Sequence, residues 1–430
     1  MKKVETPKVR APTVPNTKSK TRYYFQIGEN GGQATVNINL ANPKRMILGN
    51  ECSLVMEVTC EYADGSSLTA NVGPAVSMAD ILLDQIDLEV KGKRFTYMNG
   101  GICNHFLNHW LIPNFVRNGL GKLQYFLTED SKFAETKAAY ATGKDANIWY
   151  PLWDPTKDNK IRLVRNLGDL PLFGNGDQML SGLIPMNFHV RTADSGLWQR
   201  ALRGNADTTQ PYKISIKRMY IEIVSVEVID EFSNQIISEI SQNAYSLDTY
   251  VNQLQVLNSG NVQPGQQTYQ GTANFTKVPD QAYLLFLDLS ASQNNNTPYK
   301  QEYIYQARFD NLDKVTITSG GKQLAMYEDI ELSSNKLKLL EDMSFSTNKL
   351  GYFRGGESCN GNVFVVENLI SCVPVIFENL EEGFDSSIPM ELTFEVMFKN
   401  GASKALKPML LTRTKNNIVL GSGMDNIMQK

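Results

Sequence analysis

The sequence predicts an all-β protein of the sandwich or barrel class, built from two related domains in tandem. Many short runs of alternating apolar and polar residues are separated by Gly, Asn and Pro turn residues. Only two or three stretches have the spacing of an amphipathic helix. Several local marks also recur in the same order in both halves of the chain. With 430 residues, the chain is long enough for two or three domains.

The first half begins with strand candidates over 23–60, in which the turn Asn30-Gly31-Gly32 predicts a hairpin. A polar loop is predicted over 61–77, and a short helix over 102–112. The region 120–165 reads as a loop insertion without assigned strands. The remaining strand candidates of this half are 81–97 with a turn at Gly92, 183–192, and 212–228 with a bulge near Lys217–Tyr220.

A helix over 231–242 is predicted to link the halves, because its apolar residues recur at helical spacing. One further helix is predicted over 327–342. The strand candidates of the second half are 251–257, 267–275, 281–289, 302–309, 313–324, 362–370, 373–377, 390–398 and 408–414.

An internal repeat connects the two halves. In the first half an alternating strand ends in the turn Gly92-Lys93, and in the second half a similar strand ends in Gly320-Gly321-Lys322. Later in each half an Ile-Pro-Met triplet, containing Pro185 or Pro389, precedes another alternating strand. The common order of these marks predicts two domains of one fold.

The composition argues against the commonest classes of enzyme. Lys and Arg number 42 and Asp and Glu 45, so the net charge is −3, which argues against a surface wholly given to nucleic acid. Only three histidines are present, and the motifs GxxxxGK[ST], GxGxxG and GxSxG are missing from the sequence. His105 and His109 share a helix face but lack the glutamate of HExxH. We therefore predict no catalytic residue, no metal site and no cofactor.

The five cysteines predict a reducing compartment rather than a disulfide framework, because they are odd in number and form no CxxC pair. Strand alternation places Cys52 and Cys60 on one apolar face, as small core side chains. The sequence contains neither a secretory h-region nor a run of about 18 apolar residues that would span a membrane.

Residues 1–22 are predicted to form a basic, proline-interrupted arm. Its functional interpretation is a segment that orders on phosphates or on a neighbouring subunit, and the alternative is a solvated leader. The positively charged residues of this arm are Lys2, Lys3, Lys8, Arg10, Lys18, Lys20 and Arg22.

A second candidate surface is the aromatic cluster Trp149, Tyr150 and Trp153. These rings could stack on sugars, and the alternative that we favour is loop packing or a subunit contact.

Three segments carry a resemblance to a known family. Residues 78–111, 170–194 and 308–324 are similar to signature segments of double jelly-roll major capsid proteins. The relatives are those of Polinton (Maverick) elements, adintoviruses and virophages, in the adenovirus-like lineage. The strand 212–228 resembles the strand that closes the first roll, and 390–398 and 410–423 resemble the last strands of the second roll.

This resemblance implies two tandem eight-stranded jelly rolls and a structural, non-enzymatic function as a major capsid protein. Three chains would form a pseudo-hexagonal homotrimer that tiles an icosahedral shell enclosing DNA. Partners would be neighbouring trimers, a penton protein, minor cement proteins and, through the arm, DNA. The protein would be located in the virion capsid after assembly in the host cytoplasm or nucleus. The implied division is an arm (1–22), a first roll (23–230), a linker helix (231–242), a second roll (243–420) and a flexible tail (421–430).

Two other functions remain open from the residues alone. A tandem β-sandwich carbohydrate-binding module would use the Trp149–Trp153 loop. A tandem jelly-roll glycoamidase resembling bacterial peptide-N-glycanases is the third possibility. No two Asp or Glu residues have a spacing in the sequence that indicates a catalytic pair for it.

Overall fold

Strands dominate the computed structural model of the chain. It describes residues 13–68, 72–74, 78–98, 133–136, 150–153, 160–168, 170, 172–173, 179–195, 198, 201–204, 212–242, 245–276, 278–289, 311–330, 338–339, 342, 372–375, 390–420 and 427–429. The predictions for other residues, including the helix over 102–112, lie outside this part of the chain.

The first half contains fourteen strands among the described residues, with a short helix α1 (Met78–Ile81) and a 3-10 turn (Gly49–Glu51). The strands are β1 (Ser19–Tyr24), β2 (Gln33–Ile38), β3 (Arg45–Ile47), β4 (Ser53–Tyr62), β5 (Val72–Pro74), β6 (Leu83–Val90), β7 (Lys93–Met98), β8 (Phe133–Thr136), β9 (Tyr150–Trp153), β10 (Lys160–Asn166), β11 (Leu180–Ser181), β12 (Met186–Thr192), β13 (Leu202–Gly204) and β14 (Tyr212–Glu227).

Helix α2 (Asp230–Ser241) leads into the second half, where nine strands are described. They are β15 (Tyr245–Val256), β16 (Thr268–Phe275), β17 (Gln281–Asp288), β18 (Leu312–Ser319), β19 (Lys322–Tyr327), β20 (Cys372–Val375), β21 (Met390–Phe398), β22 (Leu406–Leu420) and β23 (Ile427–Gln429).

Each half has two antiparallel four-stranded arrays with the same connectivity. In the first half they are β1-β14-β4-β10 and β2-β12-β6-β7, and in the second β15-β22-β17-β20 and β16-β21-β18-β19. Counted along the chain, the eight principal strands of each half follow the orders 1-8-3-6 and 2-7-4-5. This connectivity defines a jelly roll. The predicted fold class, two tandem eight-stranded jelly rolls, is confirmed.

Alternation along the central strands places the core between the two arrays of each roll. Phe188 and Val190 on β12 are fully buried, and so are Leu392 and Phe394 on β21. The neighbouring outward side chains on these strands are polar or charged. The buried apolar side chains form one continuous cluster that includes residues of both halves.

The marks of the internal repeat occupy equivalent places in the two rolls. Gly92 lies in the β6–β7 turn with φ 77°, and Gly320 and Gly321 lie in the β18–β19 turn with φ 54° and 81°. Pro185 directly precedes β12, and Pro389, outside the described residues, directly precedes β21 in the sequence. The amine of Lys93 lies 6.0 Å from the centroid of the Phe95 ring.

The hairpin predicted at Asn30-Gly31-Gly32 is wrong. β1 pairs with β14 and β2 pairs with β12, so the turn carries the chain from one sheet to the other. Gly31 is needed for a close approach instead. A Cβ on Gly31, where φ is 86°, would lie 2.2 Å from the hydroxyl oxygen of Thr192 and 2.7 Å from the Trp198 ring.

The remaining predictions for the first half are confirmed in one place and wrong in another. The bulge in β14 falls at Lys217, between Ile216 and Arg218, as predicted. The predicted insertion 120–165 contains strands β8 and β9 and all but the last residue of β10. β10 escaped recognition because Arg165 interrupts its apolar face: Ile161, Leu163 and Arg165 are the buried residues of this strand.

Three further segments are corrected by backbone pairing. The predicted loop 61–77 contains the end of β4 and all of β5, which pairs with β13. Tyr327 ends β19 rather than beginning a helix, although residues 338, 339 and 342 are helical. The tail 421–430, expected to be flexible, contains β23, which pairs with β22.

Candidate functional surfaces

The predicted arm is shorter than 1–22, because residues 13–22 are built into the first roll. Thr13 forms an isolated bridge with Val228, and β1 begins at Ser19 and pairs with β14. Lys18 forms an ion pair with Glu51. Arg45 donates hydrogen bonds to the carbonyl oxygen of Thr17 (2.6 Å) and to the hydroxyl of Ser19 (3.0 Å).

Glu222 on β14 holds β1 through two of the predicted arm residues. Lys20 Nζ lies 2.7 Å from Oε1 of Glu222, and Arg22 Nε lies 3.0 Å from Oε2. Burial favours a raised pKa for this carboxyl, but the hydrogen bonds from Lys20 and Arg22 outweigh it and hold the pKa below its ordinary value. Lys20 and Arg22 therefore hold β1 against β14, and both positive charges are already paired within the chain.

We expect the substitution Glu222→Gln to weaken this attachment by about 1–2 kcal/mol at pH 6, since both cationic partners stay half exposed and can be rehydrated. Because the folded-state pKa is lowered, the stabilisation is present above about pH 4.5 and is lost as the pH falls through the folded value. Denaturant unfolding at pH 6 and pH 3 measures the difference, which should shrink at pH 3. Glu57→Gln, at the exposed Arg218 pair, is the control and should change stability little. An equal effect of the two substitutions at pH 6 would contradict the role of Glu222.

Aromatic and guanidinium groups cover the outer surface of the same sheet. The rings of Tyr24 and Tyr220 lie 5.2 Å apart, and Arg22 lies over Tyr220 at 5.2 Å. Arg218 lies over Tyr24 at 5.7 Å, and Arg162 donates a 2.9 Å hydrogen bond to the hydroxyl of Tyr220. Tyr24 remains 47% exposed, so this face presents an aromatic surface bordered by positive charge.

The outer face of the other sheet carries a network of polar side chains. His189 Nδ1 lies 2.7 Å from the hydroxyl of Thr35, and Nε2 lies 3.1 Å from Glu89. Asp87 accepts two 2.9 Å hydrogen bonds from Gln85 and is almost fully buried, although it lies on the outward side of β6. Within the described residues, no group of three or more His, Cys, Asp and Glu side chains could hold a metal ion.

The two rolls meet at Tyr245, which lies in β15 of the second roll. Its hydroxyl donates to the carbonyl oxygen of Met179 (2.7 Å) and accepts from the backbone N–H of Ser181 (3.2 Å), both in the first roll. Burial raises the pKa of Tyr245 well above its ordinary value. Helix α2 is fixed to the first roll by a 2.9 Å hydrogen bond from Ser233 to the Pro43 carbonyl.

Cys52 and Cys60 are buried, free thiols, in agreement with their predicted place in the core. Burial raises the pKa of Cys52 to about 12 and that of Cys60 further still. Both thiols therefore stay protonated and serve as packing groups.

The aromatic cluster stays a prediction. Trp149 lies outside the described residues, as do Lys2, Lys3, Lys8 and Arg10 of the arm. Tyr150 and Trp153 are the end residues of β9, opposite Thr136 and Phe133 of β8.

Sequence reasoning missed Glu222 and Tyr245. Glu222 reads as an outward charge on an alternating strand, and Tyr245 as one aromatic residue among many. A charged residue inside a long apolar strand such as 219–226 was the signal that could have directed attention to Glu222.

None of the described helices is long and apolar enough to cross a bilayer. No family model and no curated protein matches the sequence.

Comparison with solved structures finds viral capsid chains. A chain of the Sputnik virophage structure has a TM-score of 0.57 and 11% identity, with 100% of this chain and 92% of that chain covered. The mavirus major capsid protein has a TM-score of 0.54 and 11% identity, with 100% and 93% covered. A chain of the PBCV-1 virus capsid has a TM-score of 0.57 and 12% identity, with 97% of each chain covered. The likeness at these identities is one of fold, and it extends over the whole chain: the protein has the double jelly-roll fold of these viral capsid chains.

Proposed function

We propose that this chain is the major capsid protein of a virus or virus-like element. The supporting observation is that two jelly rolls of identical connectivity stand in one chain, and that the capsid chains of similar fold are matched over 92–97% of their own length. The role is structural and non-enzymatic. The carbohydrate-binding alternative has no comparable support.

Three chains would place six jelly rolls around a ring, as a pseudo-hexagonal homotrimer able to tile an icosahedral shell. In such a ring each first roll lies between second rolls. Residues 1–230 carry 27 Lys and Arg against 23 Asp and Glu, whereas residues 231–430 carry 15 against 22. The opposite charge balance of the halves favours contacts between unlike rolls over contacts between like rolls.

The shell would enclose DNA, and contact with it would be non-specific. Of the seven positive residues in the predicted arm, Lys18, Lys20 and Arg22 are paired within the chain. Lys2, Lys3, Lys8 and Arg10 would be the ones to neutralise phosphates. A penton protein and minor cement proteins would complete the shell in the virion, after assembly in the host cytoplasm or nucleus.

The solution mass of the purified protein tests this function. We expect light scattering on a sizing column to give three times 48.2 kDa, or larger particles built from that unit, because trimer contacts of the proposed kind bury more than about 2,000 Å². Electron microscopy of the same fractions should show pseudo-hexagonal blocks. A stable 48.2 kDa monomer at micromolar concentration and physiological salt would contradict the proposal.

A further inference from the structure

The two jelly rolls of one chain meet through unlike edges. Counted along the chain, β7 is the fifth principal strand of the first roll and β15 is the first principal strand of the second, and each lies at the end of its array. Cα atoms of β7 and β15 come within 8 Å of each other. Tyr245, the first residue of β15, completes the junction through its hydrogen bonds to Met179 and Ser181. The junction is therefore head-to-tail, since the two rolls contribute different surfaces to it.

The repeats of these two edges are β1 and β19. β1 is the first principal strand of the first roll, like β15 in the second, and β19 is the fifth principal strand of the second roll, like β7 in the first. Among the described residues, β1 pairs only with β14, and β19 pairs only with β18. Because the two rolls have the same connectivity, the place that β15 takes beside β7 has a counterpart beside β19. A second copy of this chain supplies the matching strand, its own β1.

Both of these edges expose large apolar side chains. Tyr24, the last residue of β1, is 47% exposed and Met326 on β19 is 39% exposed, whereas Tyr245 at the junction within the chain is buried. Met397, 46% exposed on β21, lies on the same outer face as Met326. These three are half of the six large apolar side chains that are exposed in the described part of the chain. Exposed apolar groups gathered at two edges are typical of contact surfaces.

The charges around the two edges are opposite in sign. β1 and β14 together carry five Lys and Arg residues against two Glu residues. Segments 312–329 and 390–398, which contain β18, β19 and β21, carry two Lys residues against five Asp and Glu residues. This balance favours the approach of a β1 edge to a β19 edge, and it disfavours contact between two β1 edges or between two β19 edges.

We propose that the β1 edge of one chain packs against the β19 edge of a neighbouring chain, where it repeats the junction that β15 and β7 make within one chain. Tyr24 and Met326 are buried in this contact. The inference rests on the proposed capsid function for the number of chains: three contacts of this kind, alternating with three junctions within chains, close a ring of six rolls. The partner of both surfaces is thus another copy of the same chain.

Paired cysteines test the contact directly. In the variant Y24C/M326C, a short bismaleimide should join neighbouring chains, so that denaturing gels show linked dimers and trimers. The single variants Y24C and M326C should give no more linked chains than the wild type, which measures the contribution of the native cysteines. Y24C/T268C is the matched control, because Thr268 is exposed on β16, at the opposite end of the array that contains β19. Absence of linking in Y24C/M326C, or equal linking in the two paired variants, would overturn the proposal.

The sign of the charge placed at position 326 gives a second measurement. M326R and M326E both remove the apolar side chain, but only M326R sets a positive charge against Lys20 and Arg22 of the neighbouring β1. We expect the protein concentration at which half of the trimer dissociates to be about tenfold or more higher for M326R than for M326E. Light scattering over a dilution series measures it, and T268R should leave the wild-type value unchanged.

The outcomes separate this contact from the capsid function itself. A wild-type trimer that is equally stable in M326R and M326E would overturn the β1–β19 contact and leave the proposed capsid function in place. A wild-type monomer would overturn both.

Discussion

Replacing Gly49 by alanine is expected to destabilise the first jelly roll by about 3 kcal/mol. A Cβ at this position would lie 2.2 Å from the carbonyl oxygen and 2.6 Å from the Cα of Phe173. Both atoms belong to the backbone, so no side-chain rotation relieves the overlap. Phe173 is itself buried and packs edge-on against Phe188, with ring centroids 6.4 Å apart. The shift would therefore be transmitted into the core.

The unfolding midpoint in denaturant measures this effect against a matched glycine. Gly28→Ala is the control, since its nearest atom would be 3.5 Å away, an ordinary contact. We expect the control to change stability by less than about 0.5 kcal/mol. Similar losses for the two variants would show that the approach of Gly49 to Phe173 is not a constraint on the fold.

Truncating Phe394 to alanine is expected to cost about 3–5 kcal/mol, because it leaves a cavity at the centre of the second roll. Phe394 is fully buried on β21 and lies opposite Ile317 of β18 and Gly271 of β16. Phe188 has the corresponding strand position in the first roll, on β12 opposite Leu88 and Val36. Calorimetry of the Phe394→Ala and Phe188→Ala variants measures the loss of stability in each case.

The continuous apolar cluster predicts how the two rolls respond. Because it includes residues of both halves, we expect each variant to lower the single transition of the whole chain rather than to split it. Met397→Ala, 46% exposed on the same strand as Phe394, is the control and should be nearly neutral. Two well-separated transitions for Phe394→Ala would mean that the rolls unfold independently.

Periodicity and turn chemistry carried most of the fold prediction. Alternation over 390–398 predicts β21 to the residue, and the glycine turns at Gly92 and Gly320-Gly321 predict the equivalent hairpins of the two rolls. These signals are local, since they depend on the pleat of one strand and on the left-handed conformations of one turn. Their repetition in order was sufficient to predict two domains of one fold.

Errors arose where a long-range partner overrides a local signal. The turn at Asn30–Gly32 has hairpin residues, yet β1 pairs with β14, a strand about two hundred positions away, on which Glu222 binds Lys20 and Arg22. Arg165 broke the apolar pattern of β10, although its guanidinium is buried and donates 2.9 Å to the carbonyl oxygen of Asn166. Alternation read from the sequence alone places a charged residue such as Arg165 on the solvent-facing side of its strand.

The candidate surfaces likewise depend partly on local sequence and partly on tertiary structure. The basic character of residues 1–12 is visible in the amino-acid sequence, as is the acidity of the segment that forms α2. The Thr13–Val228 bridge and the Tyr245 contacts are consequences of tertiary structure, because they join segments far apart in the chain. Strand type, turn positions and tandem organisation are thus determined by short-range sequence pattern. Strand pairing, the fastening of β1 and the junction of the two rolls are decided by hydrogen bonds and packing between residues that no local pattern connects.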